Sequence, residues 1–207
     1  KVLLINGSAK PKGCTYTALT EISKALEEEG IDSEIVQLGG TPIRDCIGCN
    51  SCAKLNGACI FNDDDINEIT KKAMECDGFI FGSPVYYAHP SGRILSALDR
   101  MFYSNKKAFA HKPGAAITSA RRAGTTASID VINKYFTISE MPIVSSSYWN
   151  MVHGNTPEEV LQDKEGIQVM HNLARNMARM LKCIEAGKNA GIDVPENTYD
   201  AKTNFIR

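Results

Sequence analysis

Val2-Leu3-Leu4-Ile5 runs directly into Asn6-Gly7-Ser8-Ala9-Lys10-Pro11-Lys12-Gly13-Cys14-Thr15. Four consecutive apolar residues are expected of a strand buried on both faces. The loop behind them is rich in Gly, Ser and Lys. A helical stripe follows: Ala18, Leu19, Ile22, Ala25 and Leu26 share one face, Glu27-Glu28-Glu29 lies outside it, and Gly30 is a stop signal. The opening segment therefore reads as strand, loop and helix.

The same alternation continues along the chain. Ile31 to Leu38 predicts a second strand. From Asp64 a short helix is expected, with Ile66, Ile69 and Ala73 inward and acids in its first turn. Gly78-Phe79-Ile80-Phe81 predicts a third strand, ending at Gly82-Ser83-Pro84. Ile94, Leu95, Leu98, Met101 and Phe102 form a helix stripe. Gly114 to Thr118 predicts a fourth strand and Thr125–Tyr135 a helix. Met141-Pro142-Ile143-Val144 reads as a short fifth strand. Thr156-Pro157-Glu158-Glu159 combines a capping box with Pro at the first helical position, and Leu173, Met177, Met180 and Leu181 carry a long final helix. Five strand–helix alternations argue for an α/β fold, a three-layer sandwich with a parallel sheet and helices on both faces; of the common doubly wound arrangements, the five-stranded order 2-1-3-4-5 is the one expected. One domain over residues 1–186 is expected, with an irregular, cysteine-containing insertion at 39–62. A C-terminal tail at 187–207 is expected to be a dimer arm or loose.

Composition bounds the function. The 207 residues are 43% hydrophobic and 23% charged, enough for a sizeable core, and the net charge is -1. Near-neutrality argues against a dedicated nucleic-acid binder. No apolar run approaches the roughly 18 residues that cross a bilayer, and the opening run is too short for a signal peptide. Seven cysteines without a secretory signal do not read as an extracellular disulfide framework. A cytoplasmic protein is expected.

In an open parallel sheet a ligand sits beyond the carboxyl ends of the strands, where strand order reverses. For this order, that point lies between the first and third strands, and both following loops are unusual. Ser8, Thr15 and Thr17 supply hydroxyls, Lys10 a cation, and the helix start free amides, which together make an anion site. The spacing matches neither the mononucleotide P-loop nor Gly-x-Gly-x-x-Gly, so a single phosphate fits best. The second loop, Ser83-Pro84-Val85-Tyr86-Tyr87-Ala88-His89-Pro90, is stiffened by prolines and presents two aromatics. A flat cofactor with a phosphate tail suits this pair, and FMN has that shape.

Gly7-Ser8-x-Lys10-x-x-Gly13-x-Thr15, Gly82-Ser83-Pro84-Val85-Tyr86-Tyr87 and Asp99-Arg100 resemble the NADPH-dependent FMN reductase family of flavodoxin-like proteins. Cys46-x-x-Cys49-x-x-Cys52-x6-Cys59 resembles its iron–sulfur flavoprotein branch. The resemblance implies that Ser8, Lys10, Gly13, Cys14, Thr15, Tyr16 and Thr17 hold the FMN phosphate. It implies that Pro84, Val85, Tyr86 and Tyr87 wrap the isoalloxazine, and that Ser119, Arg121 and Gly124 close over its other edge. Cys14 stands where the family commonly has Asn.

For the four clustered cysteines several readings are open. Fe–S clusters take Cys thiolates at two-residue spacings, so a 4Fe–4S cluster on Cys46, Cys49, Cys52 and Cys59 leads. Zinc, which prefers separated Cys pairs, redox-cycling thiols and a metal-free interface loop are the alternatives. Trp149, Asn150 and His153 read as fold or interface packing, or as shaping the nicotinamide side of a flavin. The expected activity is that of an FMN-dependent oxidoreductase moving reducing equivalents from NAD(P)H or a reduced protein to flavin, quinone or an electron-transfer partner. An FMN electron carrier and a thiol redox sensor are the rivals. No side chain is nominated as a catalytic acid or base. Small-molecule or protein redox partners and a homodimer or homotetramer are expected, with no nucleic acid and no membrane.

Overall fold

A computed structural model describes residues 1–201 and 203. Five parallel strands form the sheet: β1 (Val2–Asn6), β2 (Ser33–Gln37), β3 (Gly78–Tyr86), β5 (Gly114–Ala120) and β6 (Met151–His153). Their order is β2-β1-β3-β5-β6, which is the expected 2-1-3-4-5 arrangement of parallel strands. The central strand β1 is in register with both neighbours, Val2 lying opposite Ser33 on one side and Gly78 on the other. A two-residue strand, β4 (His89–Pro90), pairs antiparallel with the end of β3.

Both faces of the sheet are covered, which is why β1 needs no polar alternation. Val2 and Leu4 face a layer built from α1 (Cys14–Glu28), α5 (Pro157–Gln162) and α6 (Lys164–Asn189). Leu3 and Ile5 face α2 (Ile66–Met74), α3 (Gly92–Asn105) and α4 (Thr125–Ile138). The second layer is aromatic: Phe102 stacks on Phe109 at 4.2 Å between centroids, and Phe81 on Phe136 at 5.4 Å. The expected helix stripes are buried as read, including Ala18, Leu19, Ile22, Ala25 and Leu26 of α1.

Three features depart from the sequence expectation. β3 continues past Phe81 to Tyr86, because the returning segment His89–Pro90 supplies a pairing partner for it. The turn between them places Tyr87 (φ 52) and Ala88 (φ 58) in the left-handed region. Neither is the Gly, Asn or Asp that such a hairpin turn favours, so no turn signal stands in the sequence.

The fifth strand is displaced. Met141–Val144 makes only a bridge, Ile143 opposite Gly114, with Gly114 N donating to Pro142 O and Val144 N to Gly114 O. The chain then bulges over Ser145–Asn150 and rejoins the sheet as β6, paired Thr118 to Met151. Buried Asn150 holds the bulge, its side-chain amide donating to Ala116 O at 3.1 Å.

The last helix runs through Gly187 to Asn189 rather than stopping before it. Asp163 separates α5 from α6 by accepting the Gly166 N–H (3.0 Å) and the His153 N–H (2.7 Å). The expected tail at 187–207 thus begins as helix, and residues 202 and 204–207 of it lie outside the described residues.

Phe136 is fully buried against Phe81 and anchors α4 to the sheet. Phe136→Ala is expected to cost about 3–5 kcal/mol, read as a lower denaturation midpoint at unchanged m-value. An unaltered midpoint would show that the aromatic layer does not hold this helix.

Candidate functional site

The parallel strands bring three loops to one edge of the sheet, after β1, β3 and β5. The first loop is braced from beneath by amides. Asn6, fully buried, accepts the Ser8 N–H on Oδ1 (3.1 Å) and donates through Nδ2 to Gln37. Gln37 in turn donates to Ser8 O at 2.6 Å. The Ser8 hydroxyl accepts the Lys10 N–H (3.1 Å), which curls the loop toward Gly13.

Gly13 is the N-cap of α1 and contributes no side chain, and no side chain among the described residues caps that helix. The first-turn N–H groups of an α-helix have no partner within the helix. Among the other helices, α3, α5 and α6 are capped by Ser91, Thr156 and Asp163, whereas α2 and α4, like α1, carry no side-chain cap. An uncapped start, with Lys10 and Lys12 exposed beside it, suits an anion.

The hydroxyls are divided in role. Thr15 Oγ1 pairs with Ser119 Oγ at 2.8 Å, both buried, which ties the first turn of α1 to the end of β5. Thr17 turns its hydroxyl back to Gly13 O (3.2 Å), which leaves Ser8 and Thr15 as the buried pair. Tyr16 is half-buried on the first turn. Cys14 donates to Gly154 O at 3.6 Å, and burial pushes its thiol up, so it stays a neutral donor. It joins α1 to the chain just after β6.

The second and third loops meet. Pro84 and Val85 are half-buried along β3, whereas Tyr86 and Tyr87 are exposed at the hairpin tip. Gly124 begins α4 with φ +93, and a Cβ there would lie 2.6 Å from Ala88 Cα. Only glycine permits that approach in that conformation. Arg121 is exposed on the same loop, next to Arg122, whose carbonyl is 2.9 Å from His153 Nε2. Trp149 is 57% exposed and packs edge-on against Tyr148.

The loops are also locked to each other. Gly7 N donates to Gly82 O (2.8 Å), and a Cβ on Gly7 would fall 2.7 Å from that of Ile94. Ser91 donates to Gly7 O (2.8 Å) and receives Ile94 N (3.2 Å), while Ser83 Oγ takes the Ser91 N–H (2.9 Å). The result is a rigid rim with an open helix start at its centre. Its donor set fits a phosphate monoester.

The cysteine segment lies beside α3. It is irregular except for a 3₁₀ turn, Ser51–Ala53. Cys46, Cys49, Cys52 and Cys59 are all free thiols. Among the described residues no three metal-binding side chains converge. The donor chemistry, four thiols in one short segment, fits an iron–sulfur cluster, while the segment as folded holds its sulfurs apart. Ser51, through its hydroxyl and its N–H, lowers the exposed Cys49 thiol below its ordinary range.

Cys59 is set differently. Arg100, whose side chain is 0% exposed, donates Nε–H to Cys59 Sγ at 3.2 Å. Burial opposes the Arg100 charge, but Asp64 and Cys59 outweigh it and raise the guanidinium above its usual value. Phe61 lies between Arg100 (5.5 Å) and Arg44 (5.1 Å), facing both cations.

Asn6, Gln37, Ser91 and Asn67 were not singled out from sequence. One signal was present: Asn6 and Gln37 are both amide residues at strand ends, and they prove to be register partners.

The family described as NADPH-dependent FMN reductase matches residues 1–156. An iron–sulfur flavoprotein of Methanocaldococcus jannaschii is 33% identical over 196 residues, covering 89% of this chain and 99% of that one. A second from the same organism is 27% identical, covering 88% and 97%. Among solved structures, RosB aligns with a TM-score of 0.68 at 12% identity, over 100% of this chain and 92% of its own. An archaeal flavodoxin aligns at 0.58 and 13% identity, over 87% and 97%. These structural likenesses establish a flavodoxin-like fold.

Asn6→Ala removes the support under Ser8. It is expected to cost about 1–3 kcal/mol of stability and to raise the FMN dissociation constant about tenfold. Fluorescence titration of apoprotein with FMN measures the second effect, and an unchanged constant would separate this amide from ligand binding.

Proposed function

We propose that this chain, which belongs to the NADPH-dependent FMN reductase family and is an FMN-dependent oxidoreductase, passes reducing equivalents from NAD(P)H or a reduced protein to an acceptor such as flavin, quinone or an electron-transfer protein. One observation carries the site assignment. The edge of the sheet where β1, β3 and β5 end holds the uncapped start of α1, pinned to β5 through Thr15 and Ser119.

When bound, FMN would supply the hydride and electron-transfer chemistry. The chain's own task is binding and orientation. The first-turn amides of α1, with Ser8, Gly13, Cys14, Thr15, Tyr16 and Thr17, bind the phosphate, and Lys10 adds positive charge. Pro84, Val85, Tyr86 and Tyr87 form a stiff shelf for the ring. Ser119, Arg121 and Gly124 would border its other side. The hairpin packs Ala88 closely against Gly124, which fixes the position of this shelf relative to the loop after β5.

Cys46, Cys49, Cys52 and Cys59 are assigned to a 4Fe–4S cluster. The support is four free thiols in one segment and the similarity to two iron–sulfur flavoproteins of Methanocaldococcus jannaschii. The cluster would supply a one-electron relay. A homodimer or homotetramer is proposed because Trp149, Tyr148, Tyr86, Tyr87 and Ile47 expose large apolar surface. A cytoplasmic setting is in keeping with the free thiols, and no described helix is long and apolar enough to cross a membrane.

The test is an anaerobic ultraviolet–visible spectrum of fresh protein, with iron and acid-labile sulfide assayed on the same sample and NAD(P)H oxidation followed with several acceptors. Flavin bands, a broad iron–sulfur shoulder and about four irons per chain are expected, with turnover. Flavin without iron or sulfide after reconstitution would leave a plain FMN reductase. Flavin without turnover on any acceptor would leave a carrier. No flavin after FMN addition would overturn the reading.

A further inference from the structure

A guanidinium carries five N–H donors in a fixed plane and no acceptor. Arg100 occupies all of them inside the protein. Nε donates to Cys59 Sγ (3.2 Å), Nη1 to Asp64 Oδ2 and to Arg44 O (3.5 Å), and Nη2 to Asp64 Oδ1 (3.0 Å) and Phe61 O (3.0 Å). Every acceptor belongs to the cysteine segment or its immediate continuation, while Arg100 itself stands on α3. Asn67 completes the hold: its Oδ1 takes the Cys59 N–H (2.8 Å) and its Nδ2 donates to Cys59 O (3.0 Å) and Phe61 O (3.0 Å). Cys59 is therefore held at its N–H, its carbonyl and its sulfur. Cys52 Sγ, in contrast, has a single long contact, to Tyr103 O at 3.9 Å.

We propose that Arg100 is a positioning residue for the cluster site: it presets Cys59 as the fixed ligand onto which Cys46, Cys49 and Cys52 close, and its N–H donation favours the reduced cluster. The proposal rests on the 4Fe–4S reading above. Its physical basis is general. Hydrogen bonds to cluster sulfurs are among the determinants of reduction potential, and groups behind a ligand orient it. One-electron reduction adds one negative charge to the cluster and its thiolates. A cationic N–H aimed at one of those sulfurs stabilises that form over the oxidised one.

Arg100→Lys keeps a cation for buried Asp64 but cannot reproduce the planar fork. Two measurements read it, with bound FMN and thermal midpoint as checks of folding. In metal-free protein, amide exchange in residues 59–64 is expected to accelerate about tenfold, as for loss of a charge-assisted hydrogen bond. After anaerobic reconstitution, the cluster midpoint, followed by EPR during redox titration, is expected to move negative. A tenfold change in that equilibrium is about 59 mV for a one-electron couple. Unchanged exchange together with an unchanged midpoint would overturn the proposal, and so would a midpoint that moves positive.

If Arg100→Lys does not fold, Arg100→Gln with Asp64→Asn leaves no lone buried charge and is read the same way. If the wild-type protein takes up neither iron nor sulfide, the 4Fe–4S reading falls. The exchange comparison then still decides whether Arg100 holds Cys59.

Discussion

A guanidinium shut away from water is tolerable only when its charge is balanced and its donors are filled. Arg100 meets both conditions by drawing a carboxylate, two backbone carbonyls and a thiol onto itself. The carboxylate and its neighbours lie at the end of a long segment without regular structure, so that segment cannot wander from α3 without stranding the charge. Breaking such a buried pair by removing one partner costs about 3–5 kcal/mol, which is comparable to losing a large aromatic from the core. The irregular excursion is thus fastened at its C-terminal end by electrostatics, where its own backbone supplies few hydrogen bonds.

The same economy of means shapes the opposite end of α3. Ser91 caps the helix and donates to Gly7 O, so the helix start also fixes the loop after β1. Thr15 and Ser119 do the equivalent between α1 and β5. Pre-formed rims of this kind suit a cofactor whose reactivity depends on orientation, since little ordering remains to be done on binding.

Much of this was legible from residue pattern. Continuous apolar strands and 3.6-residue stripes lead to the parallel sheet, and the two unusual loops do lie together at one of its edges. What escaped did so for specific reasons. The β3–β4 hairpin turns on Tyr87 and Ala88, residues that carry no turn signal, so the strand reads as shorter than it is. The fifth strand is interrupted by a bulge pinned through the side chain of Asn150, and a short apolar run before it mimics the whole strand. Asn6 and Gln37 act through a lateral partnership that exists only once β1 and β2 are side by side. Arg100 stands out in the sequence only through the Asp99-Arg100 match, and its role is hidden because its partners Cys59, Phe61 and Asp64 are remote in the chain.

α3 connects the two regions as a single straight element. Its capping serine grips the loop after β1, and its interior arginine grips the cysteine segment. Along a helix rising about 1.5 Å per residue these grips are about 14 Å apart. The helix is in effect a ruler with discrete graduations. Its length cannot be adjusted by a fraction: one residue added between the grips would lengthen the span by a single step and swing the arginine about 100° around the axis. The separation between the loop after β1 and the cysteine segment is therefore set in whole residues, and a change of one residue between the grips would break one of them.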